Sequence, residues 1–275
     1  MKRFIDLPLC DTRQRALSLE YLRLGPETAP AGAPTLVFLH EGLGCVDLWR
    51  NFPEDLCERI QCRGFAYSRF AYGESTPRPH EEPFPVDYLE HESLETLPAV
   101  LGALGIERPW LIGHSDGGTI ALIAAANDPG CARYPGIVVI APHYKVEDIG
   151  VANIERTRAA YEHGELRDRL SKYHRDADSA FYGWCDAWLD PARRAWNIET
   201  VLKNIACPAL AIQGAQDEYA TLEQIEAIQR NAPQTKLMKI NDCGHFPFLT
   251  QPEAVIEAIA AFIMDTVLLD KRQLP

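Results

Sequence analysis

Trp110-Leu111-Ile112-Gly113-His114-Ser115-Asp116-Gly117-Gly118-Thr119-Ile120-Ala121 passes from a short apolar run, through a serine set between two glycines, into an alanine-rich segment. The spacing is G-x-S-x-G, a nucleophile elbow. A serine forced into a sharp, strained turn leaves no room for side chains two positions to either side, which is where Gly113 and Gly117 stand. Such a turn presents Ser115 at the carboxyl end of a sheet and aims the Asp116 amide at any developing oxyanion. Glycine and serine are common enough that the pattern alone is weak. The apolar strand before it and the helix after it make it specific.

Outward from this stretch, short apolar runs alternate with helical patterns. Thr35 to Leu39, Phe65 to Ser68, Trp110 to Ile112, Ile137 to Ile140, Ala209 to Ile212 and Lys236 to Ile240 read as strands. Phe52 to Gln61, Leu89 to Leu104, Thr119 to Asn127, Leu222 to Asn231 and Glu253 to Leu268 read as helices. Strands apolar on both faces and separated by helices predict an α/β fold, a mostly parallel sheet with helices on both sides. From His143 to Lys203 no strand signal occurs, and charged residues mix with aromatics that include Trp184, Trp188 and Trp196. We expect a helical cap over 143–203, inserted between core segments 1–142 and 204–275, its aromatics roofing an apolar pocket. The competing expectation is a set of peripheral helices whose aromatics pack downward.

The chain has 275 residues, of which 47% are hydrophobic, enough to bury one large α/β core. A net charge of -12, with the basic residues scattered, argues against nucleic acid or an anionic membrane as partner and mainly serves solubility; the partner expected is a small-molecule substrate. The eight cysteines form no C-x-x-C pair and are expected to be reduced core thiols, Cys10 among them. Met1 to Pro8 lacks the apolar stretch of a signal peptide, so a cytoplasmic location is expected. Neither metal nor cofactor is expected: acidic and histidine residues such as Glu90-His91-Glu92 are adjacent rather than on one helical face, and Gly113 to Gly118 lacks the G-x-G-x-x-G spacing. A homodimer is left open.

A serine hydroxyl is a poor nucleophile until a base takes its proton and a third group holds that base in one tautomer. Asp217 follows the strand Ala209 to Ile212 through Gln213-Gly214-Ala215-Gln216, with Glu218 beside it as the alternative acid. His245 follows the strand Lys236 to Ile240 through Asn241-Asp242-Cys243-Gly244 and precedes Phe246-Pro247. With Ser115, these segments resemble the nucleophile, acid and histidine motifs of the α/β-hydrolase superfamily, in its order and over nearly the whole chain. The resemblance implies Ser115 as nucleophile, His245 as general base and then acid, and Asp217 as orienting carboxylate. His40-Glu41-Gly42-Leu43-Gly44 is similar to the family's oxyanion loop, with Glu41 where glycine is usual. It implies an oxyanion hole made by the amides of Asp116 and Gly42, Leu43 being the other candidate. Tyr72-Gly73-Glu74-Ser75 resembles a structural loop of the same family.

A serine nucleophile implies acyl transfer to water from esters, thioesters, lactones or some amides, and hydrolysis of a small ester through an acyl-enzyme is the expectation. Ser115-Asp116-Gly117-Gly118 locally resembles the valacyclovir hydrolase group, in which the aspartate binds the substrate's α-ammonium. Asp116, with Glu41 nearby, would then favour amine-bearing acyl groups. Leu43, Trp184, Trp188 and Phe246 complete the expected substrate-binding residues. Two alternatives remain: a carbon-carbon hydrolase of aromatic ring-cleavage products, needing an arginine such as Arg156, Arg158, Arg193 or Arg194 for the substrate carboxylate, and a non-catalytic receptor of the same fold.

Overall fold

The structure is a computed structural model that describes residues 2–8 and 16–273, without the side chains of 270–273. Eight strands form one sheet among the described residues. They are β1 (Arg3–Leu7), β2 (Leu17–Leu24), β3 (Thr35–Leu39), β4 (Arg63–Tyr67), β5 (Pro109–His114), β6 (Ile137–Ile140), β7 (Ala209–Gly214) and β8 (Lys236–Ile240). The order is β1-β2-β4-β3-β5-β6-β7-β8, parallel from β4 to β8, with β1 and β2 antiparallel at one edge.

Side chains alternate along each strand, so β3 sends Val37 and Leu39 to one face and Leu36 and Phe38 to the other. Each face has its own core. The first is covered by α2 (Tyr88–His91), α3 (Leu97–Leu104), α4 (Asp116–Ala126) and α9 (Glu223–Asn231), and the second by α1 (Phe52–Ile60), α10 (Pro247–Thr250) and α11 (Pro252–Gln273). A π-helical turn, Glu92–Thr96, joins α2 to α3. Every residue of α4 is buried, as expected for a helix with no polar face.

The six strands read from the sequence are all present. The edge pair β1 and β2 is additional. Its alternation is apolar on one face only, and its other face carries Glu20, a buried carboxylate paired with Lys2 at 2.7 Å, so it lacks the continuous apolar run that marks the central strands. Helix α4 starts at Asp116, three residues before the expected Thr119, and so includes the two glycines.

Between β6 and β7 the chain is helical: α5 (Asp148–Glu162), α6 (Glu165–Leu170), α7 (Ala177–Leu189) and α8 (Glu199–Leu202). Tyr161 of α5 stacks on Phe181 of α7 with ring centroids 3.6 Å apart, closing this insertion on itself. Cys45, Cys57, Cys62, Cys185, Cys207 and Cys243 are buried free thiols, and Cys10 lies outside the described residues. Among the described residues, no helix is long and apolar enough to cross a membrane.

The sheet order reverses at β3. The chain moves outward from β3 to β4 and returns on the other side of β3 as β5, so the loops leaving β3 and β5 diverge and open a crevice at their carboxyl ends.

Candidate active site

Ser115 leaves β5 at that crevice in a left-handed conformation, φ 51°, which a side chain adopts only under strain. Its amide donates to the Ile140 carbonyl at 2.8 Å, pinning the turn to β6. The flanking glycines are sterically required: a Cβ on Gly117 would lie 1.8 Å from the Leu39 carbonyl oxygen, and one on Gly113 would lie 2.1 Å from that of Gly117. Helix α4 begins at the next residue, so its amino-terminal amides and the positive end of its dipole sit beside the serine.

The acid and histidine arrive from the far end of the sheet. His245 Nδ1 meets both carboxylate oxygens of Asp217, at 2.9 and 3.0 Å. Nδ1 must therefore carry the proton, which leaves Nε2 as a base. Asp217 also accepts from the Tyr219 amide at 2.9 Å and the Gln213 side chain at 3.2 Å. Burial alone would push this carboxyl up. The facing His245 outweighs it and, with the Tyr219 amide, holds Asp217 below the ordinary carboxylate range. Glu218, the alternative acid, accepts instead from the backbone amide of His245 at 3.1 Å. One carboxylate holds the ring and its neighbour holds the chain.

Ser115 and His245 open onto one cleft of about 570 Å³, its mouth included. Every residue expected to bind substrate lines it: Glu41, Leu43, Asp116, Trp184, Trp188 and Phe246, together with Gly42. Among the described residues, the amides of Gly42 and Leu43 have no internal acceptor, whereas Gly44 donates to the Glu41 carbonyl at 3.1 Å. Both are free to meet an oxyanion. Trp184 of α7 covers Gly42 so closely that a Cβ there would fall 2.0 Å from the indole nitrogen. His174, between α6 and α7, donates to the Leu43 carbonyl at 3.0 Å and accepts from the Gly73 amide at 2.9 Å. The helical insertion thus clamps this loop at two points.

The two acidic side chains line the cleft beside partners of their own. The Asp116 carboxylate accepts from Tyr88 Oη at 2.6 Å and Trp188 Nε1 at 3.1 Å, and lies 3.5 Å from the buried Arg69 guanidinium. Its charge is already matched. Glu41 Oε2 lies 3.6 Å from His114 Nδ1, long for a hydrogen bond. Burial pushes this carboxyl up, but His114 outweighs it and holds it below its ordinary range. Arg69 and Tyr88 are functional neighbours that the sequence reading missed, since nothing local to either predicts a meeting with Asp116.

Of the arginines considered for a substrate carboxylate, none lines the cleft. Arg156, Arg158 and Arg194 make surface contacts with Asn153, Glu162 and Asp148. Arg193 is buried among the rings of Tyr88, Trp188 and Trp196 and donates to the Val86 carbonyl. His143, Glu147 and Tyr219 do line the cleft and were not anticipated. His143 follows β6 at the same sheet edge, and that position was the available signal. No group of three or more histidine, cysteine or acidic residues suited to a metal ion occurs among the described residues.

The chain is similar in sequence and fold to several known hydrolases. Serine hydrolase BPHL of Homo sapiens is 26% identical over 194 residues, covering 66% of this chain and 62% of its own length, so the match spans less than two thirds of that relative. The sn-1-specific diacylglycerol lipase ABHD11 of Mus musculus is 21% identical over 274 residues, covering 90% of this chain and 86% of its own length. A thermophilic esterase from Thermogutta terrifontis superposes with a TM-score of 0.71 at 19% identity, over 96% of this chain and 99% of that one. The profile of the alpha/beta hydrolase family matches residues 36–258. With most of its length matched, and the strand order and elbow described above, the chain belongs to the alpha/beta hydrolase family.

Proposed function

We propose that this protein is a serine hydrolase that cleaves a small carboxylic ester with an uncharged acyl group through an acyl-enzyme. The observation that carries the reading is the His245 imidazole, held by both oxygens of Asp217 and facing the cleft in which Ser115 stands. In this reading His245 Nε2 takes the Ser115 proton as Oγ bonds to the ester carbonyl carbon. The amides of Gly42 and Asp116 receive the oxyanion. Collapse expels the alkoxide, which takes the proton from His245 and leaves as the alcohol. Water, deprotonated by the same histidine, then releases the acid and restores Ser115.

The uncharged acyl group follows from the partners that Asp116 already has. An ammonium would have to compete with Arg69, Tyr88 and Trp188 for a carboxylate they already share. The carbon-carbon hydrolase alternative is less well supported because the cleft offers no arginine to a substrate carboxylate. The test is kcat/KM for activated esters of valine and isovalerate, which differ only in the amine, with Ser115→Ala as the blank. We expect Ser115-dependent turnover of both at rates within about threefold. Wild-type rates in Ser115→Ala would overturn the mechanism. A strong preference for valine would restore amine recognition by Asp116, and ligand retention without turnover would point to a receptor.

A further inference from the structure

We propose that His143 is a specificity-determining residue that binds a hydroxyl group on the leaving alcohol of the substrate; this rests on the ester-hydrolase reading above. Strand β5 carries Ser115, β3 on one side carries the Gly42 loop, and β6 on the other carries His143. With the carbonyl oxygen held at Gly42 and Asp116, the leaving oxygen must turn toward His245 to receive its proton. His143 is on that flank, its ring centroid 6.0 Å from that of His245 and 5.2 Å from that of Trp188.

The side chain is placed firmly. Ala141, two residues earlier, has φ 46°, a left-handed conformation that bends the chain as it leaves β6. The Thr119 hydroxyl, one turn into α4, donates to the His143 carbonyl at 2.8 Å and accepts from the His143 amide at 3.0 Å. The backbone is therefore tied to the helix that follows the nucleophile. The imidazole itself lines the cleft, and among the described residues neither ring nitrogen has a hydrogen-bond partner. Its polar neighbours on this wall are already engaged: Glu147 accepts from Thr221 and Gln224, and the Tyr219 hydroxyl meets Thr157 at 3.2 Å.

Burial, aided by the nearby His245, lowers the imidazole to about 4, so it is neutral at pH 7 and carries one donor and one acceptor. A hydroxyl offers the same pair. Apolar pockets take their specificity from a few polar groups placed in this way, and a group built to bind a hydroxyl penalises an isostere that lacks it.

The test compares 2-hydroxyethyl and n-propyl esters of the same acid, which are nearly isosteric. The wild-type enzyme is expected to favour the hydroxyethyl ester in kcat/KM by about tenfold, the scale of one well-placed hydrogen bond. In His143→Leu the ratio should fall toward one, and His143→Gln, which keeps a donor and an acceptor, should recover part of it. Equal wild-type rates would overturn the proposal even if His143→Leu failed to fold, as would a preference that survives in His143→Leu. Ser115-dependent turnover of the propyl ester reads the parent mechanism separately, and its loss together with that of the hydroxyethyl ester would remove both readings.

Discussion

The division of labour between Asp217 and Glu218 shows how adjacent acids acquire different roles. The first meets Nδ1 at the edge of the His245 ring and the second reaches only its backbone amide. Asp217→Asn should therefore permit the wrong imidazole tautomer and lower kcat by roughly 10³- to 10⁴-fold with little change in fold. Pre-steady-state acylation by an activated ester measures this directly. A loss below tenfold would show that Asp217 does not orient the base. Glu218→Gln keeps an acceptor for the amide and is expected to cost far less in the same assay. Asp116 carries the converse lesson. Its position after Ser115 was legible in the sequence, but the matching of its charge by Arg69, distant in the chain, was not.

At the scale of elements, the joint between β3 and α4 decides whether the elbow exists. The Leu39 carbonyl occupies the space that any side chain at position 117 would need. Gly117→Ala should therefore cost about 3 kcal/mol by forcing the helix off the sheet, and it should reduce serine reactivity as well. Gly102→Ala in α3 is the control: beyond its chain neighbours and the helix's own backbone no atom lies within 4 Å of the added Cβ, and the substitution should stabilise by about 0.5–1 kcal/mol. Urea denaturation of the two variants measures both. Similar stabilisation by both would show that helix propensity, not contact with β3, governs these positions. Glycine's low helix propensity is also why the sequence pattern suggested a helix only from Thr119. The contact with Leu39 outweighs it.

At the scale of the molecule, three buried histidines make the fold sensitive to acid. Burial lowers His40, His143 and His174, the first further by the Arg69 charge and the second further by His245. His40 is fixed in its neutral form, donating from Nδ1 to the Glu41 carbonyl at 2.7 Å and accepting the Arg69 amide at Nε2. An unfolded histidine binds its proton near pH 6.5, whereas folded His143 does so only at about 4. Stability is thus complete above pH 6.5 and falls as pH drops toward 4. For His143 alone the loss by about pH 5 is ~2 kcal/mol. Asp217, held low, begins to lose its contribution only below the ordinary carboxylate range. Chemical denaturation at about pH 7.5 and 5 tests this, with His143→Phe losing less stability between the two than wild type. Equal losses would show that His143 is not held neutral. The comparison is internal, because the remaining charges are common to both proteins.

The sequence by itself determined what depends on neighbours in the chain. Apolar runs separated by helical patterns imply a parallel sheet, and glycines two residues either side of Ser115 imply the strained turn. An acid and a histidine just beyond two later strands imply that both reach the carboxyl edge, because parallel strands all end there. The edge pair β1 and β2 was not read, since half of its alternation is polar and Glu20 is paired only in space, by Lys2. Tertiary structure decided the rest: which acid faces the imidazole, that Arg69 and Tyr88 take up the charge of Asp116, that Arg193 is enclosed by aromatic rings, and that His143 turns an unpartnered imidazole into the cleft. Each is a meeting of side chains from loops far apart in the sequence. Local propensity and periodicity set where such loops begin, but packing sets where their side chains point.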